Sequence, residues 1–172
     1  MPVHVVLYEP EIPQNTGNII RTCVASGVKL HLIEPLGFDL FRKTVKRSTT
    51  NHLENADITL YPDFEDFEAK NKGEYFYLTR YGKKPHSDFD FAGIEGDIYL
   101  IFGKESTGIP YERLRNHLDR CFRIPMTDKC RSLNLSNCVS IAVYEVMRQL
   151  GFPGLYTHET QKGEDFLESF DL

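Results

Sequence analysis

Tyr99-Leu100-Ile101-Phe102 is apolar at every position, and this constrains the chain more than any other feature. A strand with water on one side alternates apolar and polar residues, so an unbroken run needs cover on both faces. Similar short runs, rich in β-branched and aromatic residues, predict strands over 3–9, 29–34, 58–61, 75–79, 97–102 and 121–126. Between them lie helix patterns over 17–26, 63–71, 110–118 and 135–150. The last carries a 3.6-residue stripe of Leu135, Val139, Ala142, Val143, Val146 and Leu150, with Asn134 placed to cap its start and Gly151 its end. Strands alternating with helices imply an α/β fold, a mainly parallel six-stranded sheet with helices on both faces.

Charge and cysteine usage exclude several classes. No apolar run approaches the ~20 residues of a membrane span. The N-terminus has no basic start before its apolar stretch and meets Glu9 and Glu11 at once, so it reads as a strand and not as a secretory signal. Cys23, Cys121, Cys130 and Cys138 form no CxxC pair, and no HxxxH or HExxH spacing occurs. The expectation is a cytoplasmic protein with reduced thiols and no metal. The formal net charge is −5, but residues 157–172 hold five acids against Lys162 alone, leaving the rest of the chain close to neutral. Within that body, Arg42, Lys43, Lys46 and Arg47 form a local basic cluster that either holds phosphates or is a solvated helix face. The acidic stretch is expected to lie outside the core as a C-terminal tail.

Three segments are too polar and Gly-rich for plain connections. The first, Pro10-Glu11-Ile12-Pro13-Gln14-Asn15-Thr16-Gly17-Asn18-Ile19-Ile20-Arg21, follows strand one and offers a helix N-terminus as an anion site, or simply a capped turn. The second, Phe102-Gly103-Lys104-Glu105-Ser106-Thr107-Gly108-Ile109-Pro110, also follows a strand, and its spacing is neither GxGxxG nor GxxxxGK[ST]. The third, 124–137, crowds hydroxyl and amide side chains between a buried strand and the last helix, suiting a flat hydrogen-bonding ligand such as adenosine. In open α/β sheets, ligands lie beyond the carboxyl ends of strands, where the first two turns fall.

Taken in order, 15–21, 102–110 and 124–137 resemble the three motifs of the SPOUT-type RNA 2′-O-ribose methyltransferases. The opening segment looks like that of the small group acting on the tRNA wobble cytidine or uridine. The similarity runs from strand one through Gly151; Cys138 stands where alanine is common and Ile109 where leucine is frequent. The resemblance implies a domain over residues 1–156 with a C-terminal trefoil knot, the acidic tail of 157–172 lying outside it. It implies that S-adenosyl-L-methionine binds in the knot, at Leu78, Thr79, Gly103, Ile124, Met126, Ser132 and Leu133, and leaves as S-adenosyl-L-homocysteine.

Arg21 matches the family's catalytic arginine; a guanidinium is a poor base near neutrality, so stabilising an alkoxide or clamping a phosphate is the easier role. Asn15, Glu105 and Asn134 would shape the site, with Ser136 and Asn137 supporting the knot. A homodimer joined through the first and last helices is implied, as is an anticodon stem-loop held by Arg42, Lys43, Lys46, Arg47, Arg80, Lys83 and Lys84, with Tyr81 or His86 to stack on a base. Methylation of ribosomal RNA, or non-catalytic binding of RNA or an adenosine ligand, are the alternatives.

Overall fold

The computed structural model describes residues 3–40 and 52–170. Seven strands, β1 (Val3–Tyr8), β2 (Lys29–Ile33), β3 (Ile58–Tyr61), β4 (Glu74–Leu78), β5 (Lys84–Pro85), β6 (Ile98–Phe102) and β7 (Cys121–Arg123), form one sheet in the order β3-β2-β1-β6-β4-β7-β5. Every pairing is parallel, with Val5 opposite Leu30 on one side and Leu100 on the other. The six expected strands are all present. The seventh, β5, corrects the count: two residues long, it is too short to leave an apolar pattern.

Helices α1 (Pro13–Ser26), α2 (Phe64–Lys70), α3 (Tyr111–Arg115) and α4 (Leu135–Gln149) cover both faces. On one, Ile19, Ile20 and Cys23 of α1 join Val139, Val143 and Val146 of α4 over Val5, Leu30 and Leu100. On the other, Phe64 and Phe67 of α2 and Leu114 of α3 pack on Val6, Tyr99 and Ile101. Two buried layers explain why β6 has no polar position. The first helix begins four residues before the expected boundary, because Pro13 occupies its first turn, where a missing N–H costs nothing. Gly27 ends it in the left-handed region, at φ 68°.

The second face hides a polar chain. His4 and His31 meet through ring nitrogens 2.8 Å apart, His31 Nδ1 lies 2.9 Å from the Tyr61 hydroxyl, and the Asn71 amide donates to that hydroxyl at 3.1 Å. At the other end His4 Nε2 is 3.6 Å from the Asp97 carboxylate, and Tyr99 stacks on the His4 ring. The chain is self-consistent with both rings neutral when the His4 proton sits on Nε2, toward Asp97, so that His31 donates to His4 Nδ1 and Tyr61 donates to His31 Nδ1.

Because all strands run the same way, Tyr8, Leu78, Phe102 and Arg123 end at one edge of the sheet. The loops that follow them make the site.

Candidate active site

At that edge lies a cleft of about 1090 Å³. It is lined by Leu78 and Thr79 where β4 ends, by Gly103 and Glu105 after β6, by Ile124 and Met126 after β7, and by Ser132, Leu133 and Asn134 before α4. Asn15 enters from the first turn of α1. Thus all seven residues expected around a cofactor line one cleft, together with Asn15, Glu105 and Asn134. Arg21 does not. It lies six residues beyond Asn15, about 240° further around α1, and is exposed outside the lining.

Hydrogen bonds stitch the three motifs together. The Glu105 carboxylate accepts from the backbone N–H of Glu11 at 2.8 Å and of Ile12 at 3.1 Å, and from the Asn15 side-chain amide at 3.2 Å. Asn15 Oδ1 in turn accepts from the Asn134 amide at 3.0 Å, and Asn134 Oδ1 accepts from the Ser136 backbone N–H at 2.9 Å and its hydroxyl at 2.6 Å. Ser136 is buried as the last member, while Asn137 is exposed. A second clasp runs the opposite way: the Glu11 carboxylate accepts from the Ser106 N–H and hydroxyl, both at 2.9 Å. These bonds hold the Glu11 carboxyl below the usual carboxylate range. Alongside them, Lys104 pairs with Glu9 at 2.9 Å, which holds its ammonium above the usual lysine range.

This arrangement corrects one expectation. The backbone N–H groups of Glu11 and Ile12, just ahead of α1, do hold an anion, but it is the protein's own Glu105 carboxylate. Gly103 also has a local reason to be glycine. A Cβ there would run into the Gly108 carbonyl carbon and the Ile109 nitrogen, because the loop folds back through the Gly108 N–H to Lys104 carbonyl bond. Glu11 and Ser106 lie in segments flagged by composition, yet their pairing across 95 residues has no sequence signature.

At the cleft mouth stand Arg80, Tyr81, Tyr111, Arg123 and Arg131. Of these, Tyr111 and Arg123 carried no sequence signal of a role here, and Arg131 only its place in the third segment. Arg42, Lys43, Lys46 and Arg47 lie outside the described residues. Lys83, Lys84 and His86 are not part of the lining; Lys84 instead sits 5.3 Å from the centre of the Phe89 ring. Among the described residues no group of His, Cys, Asp and Glu is placed to hold a metal, and no helix is long and apolar enough to cross a membrane.

The cleft suits an adenosine-bearing ligand. Leu78, Met126 and Leu133 leave apolar surface partly uncovered inside it beside buried Ile124, with glycine and amide edges around them.

Known proteins share this architecture. The tRNA (cytidine(34)-2′-O)-methyltransferase of Escherichia coli strain K12 is 46% identical over 154 residues, spanning 88% of this chain and 96% of that protein. A solved structure giving structural insights into the 2-OH methylation of C/U34 on tRNA matches with a TM-score of 0.80 and 42% identity, over 87% of this chain and 96% of that one. The SpoU methyltransferase AviRb from Streptomyces viridochromogenes, in complex with the cofactor AdoMet, matches with a TM-score of 0.71 and 27% identity, over 85% of this chain and 59% of that one. The model of the SpoU rRNA Methylase family matches residues 2–144, and the chain belongs to that family.

Proposed function

We propose that this chain transfers a methyl group from S-adenosyl-L-methionine to the ribose 2′-hydroxyl of the wobble nucleotide, cytidine or modified uridine 34, of tRNA, releasing S-adenosyl-L-homocysteine. The observation that carries the reading is the convergence of three distant segments on one cleft, locked by the Glu105–Asn15–Asn134–Ser136 chain. Identity of 46% to a protein named for that reaction, across nearly the whole chain, supports the substrate.

The bound cofactor supplies an already activated methyl on a sulfonium, so the protein's work is alignment and management of the hydroxyl proton. Leu78, Ile124, Met126 and Leu133 would hold the cofactor through apolar contact, with Thr79, Gly103 and Ser132 beside them in the same lining. Asn15, Glu105 and Asn134 spend their polar atoms on one another and act by positioning the loops. Arg21 is the catalytic residue in this reading, steadying the oxygen as it loses its proton or clamping the adjacent phosphate. Its place on an exposed face of α1 fits a homodimer in which α1 and α4 meet a second copy. Thr22 and Ser140 join those two helices at 3.0 Å, and Ile141 and Tyr144 of α4 are 38% and 41% exposed.

The catalytic domain covers residues 1–156, with the loops around the cleft threaded as a trefoil knot and residues 157–172 as an appended acidic tail. The anticodon stem-loop is the part of the RNA engaged, and the setting is cytoplasmic. The test is transfer of labelled methyl to unmodified tRNA, with the product mapped by mass spectrometry. Label at the ribose of nucleotide 34 is expected, and Arg21→Ala should lower turnover by roughly 100-fold or more. Label elsewhere, or full activity in Arg21→Ala, would refute the respective assignment.

A further inference from the structure

We infer that the rim of the cleft contains a separate subsite for a nucleobase of the RNA, formed by Tyr81 and Tyr111 with Arg80, Arg123 and Arg131 holding the phosphates around it. The inference rests on the methyltransferase reading above. Tyr81 stands on the turn after β4, where its backbone N–H donates to the Thr79 hydroxyl, and Tyr111 opens α3. Their hydroxyls are 3.3 Å apart and their rings meet edge to face, 5.6 Å between centres at 83°. Both are unusually open for aromatic side chains, 57% and 62% exposed. In an edge-to-face pair, the ring that offers its edge keeps both of its own faces free, and a splayed-out base stacks on such a face. The Arg80 guanidinium lies 5.5 Å from the centre of the Tyr81 ring.

Charge decides which ligand the rim serves. Arg123 and Arg131 have no carboxylate partner among the described residues, and Arg80 has only its tyrosine. Against these three cations the lining holds Glu112, while Glu105 is spent on backbone N–H groups and Lys104 is neutralised by Glu9. S-adenosylmethionine has no phosphate and a single carboxylate, which one arginine can satisfy, so most of this positive charge is surplus to it, whereas a single RNA strand presents a phosphate at every residue. Interleaved aromatic and cationic side chains are the platform that such strands use.

The test compares Tyr81→Ala, Tyr111→Ala, Tyr81→Phe and Tyr111→Phe with the wild type. An anticodon stem-loop RNA serves as binding probe, and calorimetry with S-adenosylhomocysteine reads the cofactor pocket. Each alanine variant should weaken RNA binding about ten-fold, with the loss falling on the KM for RNA. The phenylalanine variants should keep most of the binding, and S-adenosylhomocysteine affinity should stay within two-fold, roughly the scatter of a neutral change. RNA carrying 5-iodopyrimidines through the anticodon loop should photocrosslink to Tyr81 or Tyr111. Unchanged RNA binding in both alanine variants overturns the subsite. So does a phenylalanine variant as weak as its alanine counterpart, which would make the pair a hydrogen-bonded brace, or a loss confined to the cofactor. A wild type that methylates tRNA while its alanine variants bind RNA normally sinks the subsite and leaves the function standing. A wild type inactive on every tRNA, with RNA binding still dependent on the tyrosines, does the reverse.

Discussion

Glu105 is an acceptor with no donor of its own, and this single property sets the direction of every hydrogen bond beyond it. Its carboxylate turns the Asn15 amide nitrogen inward, which leaves Asn15 Oδ1 to face Asn134 and Asn134 Oδ1 to face Ser136. Reversing one member breaks the rest. Asn15→Asp would set two carboxylates against each other unless one takes up a proton, while its other oxygen could still accept from Asn134. Glu105→Ala would leave two backbone N–H groups and the Asn15 amide without their partner. We expect a loss of about 1–3 kcal/mol for Glu105→Ala, read from urea unfolding, with Glu105→Gln milder because its amide oxygen can still accept. Gly103→Ala brings a methyl against backbone that has nowhere to move. It should cost on the order of 1–3 kcal/mol or more and reduce S-adenosylhomocysteine binding, both measurable by thermal shift with and without ligand.

Among the elements, what could be read from the sequence follows from what each residue's neighbours are. The β6 run and the α4 stripe are local patterns, so both elements fall within a residue or so of their expected bounds. β1 ends one residue early because Glu9 turns to φ 48°, where its carboxylate meets Lys104. β7 stops at Arg123, three residues short of the expected end, as the chain turns through Pro125 into the third motif. The reading missed β5, whose two residues acquire meaning only from Phe122 and Arg123 beside them. It found the residues of the cleft through family resemblance, but not the partnership of Glu11 with Ser106, which neither residue advertises alone. α4 offers a test that separates two roles of one side chain. Asn134 caps the helix through Ser136 and also donates to Asn15. Asn134→Asp keeps the cap but sets a carboxylate oxygen against Asn15 Oδ1, so a loss of melting temperature or activity in it reads the link to Asn15 and not the cap. Asn134→Ala loses both and should cost about 1 kcal/mol in stability as well.

For the molecule as a whole, the His4–His31 chain ties stability to pH. Burial pushes the His31 imidazole down to about 4, with His4 and Lys29 adding to the effect; burial also lowers His4, against the pull of Asp97. An unfolded histidine titrates near 6.5. The unfolded chain therefore binds the extra proton first as pH falls, so this contribution is complete above about pH 6.5 and is lost progressively toward pH 4. His31 alone accounts for on the order of 3 kcal/mol. Urea midpoints measured at pH 7.5 and pH 4.5 should differ by less in His31→Gln than in the wild type. The same sheet sets a temporal order. β1 has β6 as one neighbour, and the turn after β1 draws its clasps from Glu105, Ser106 and, through Asn15, Asn134. A chain still emerging from the ribosome thus carries its first motif without any of these counterparts until residue 105 is made, and without all of them until translation has passed residue 134. Fragments ended earlier by a stop codon or a protease are inert by construction, since they cannot assemble the place where RNA and methyl donor would meet.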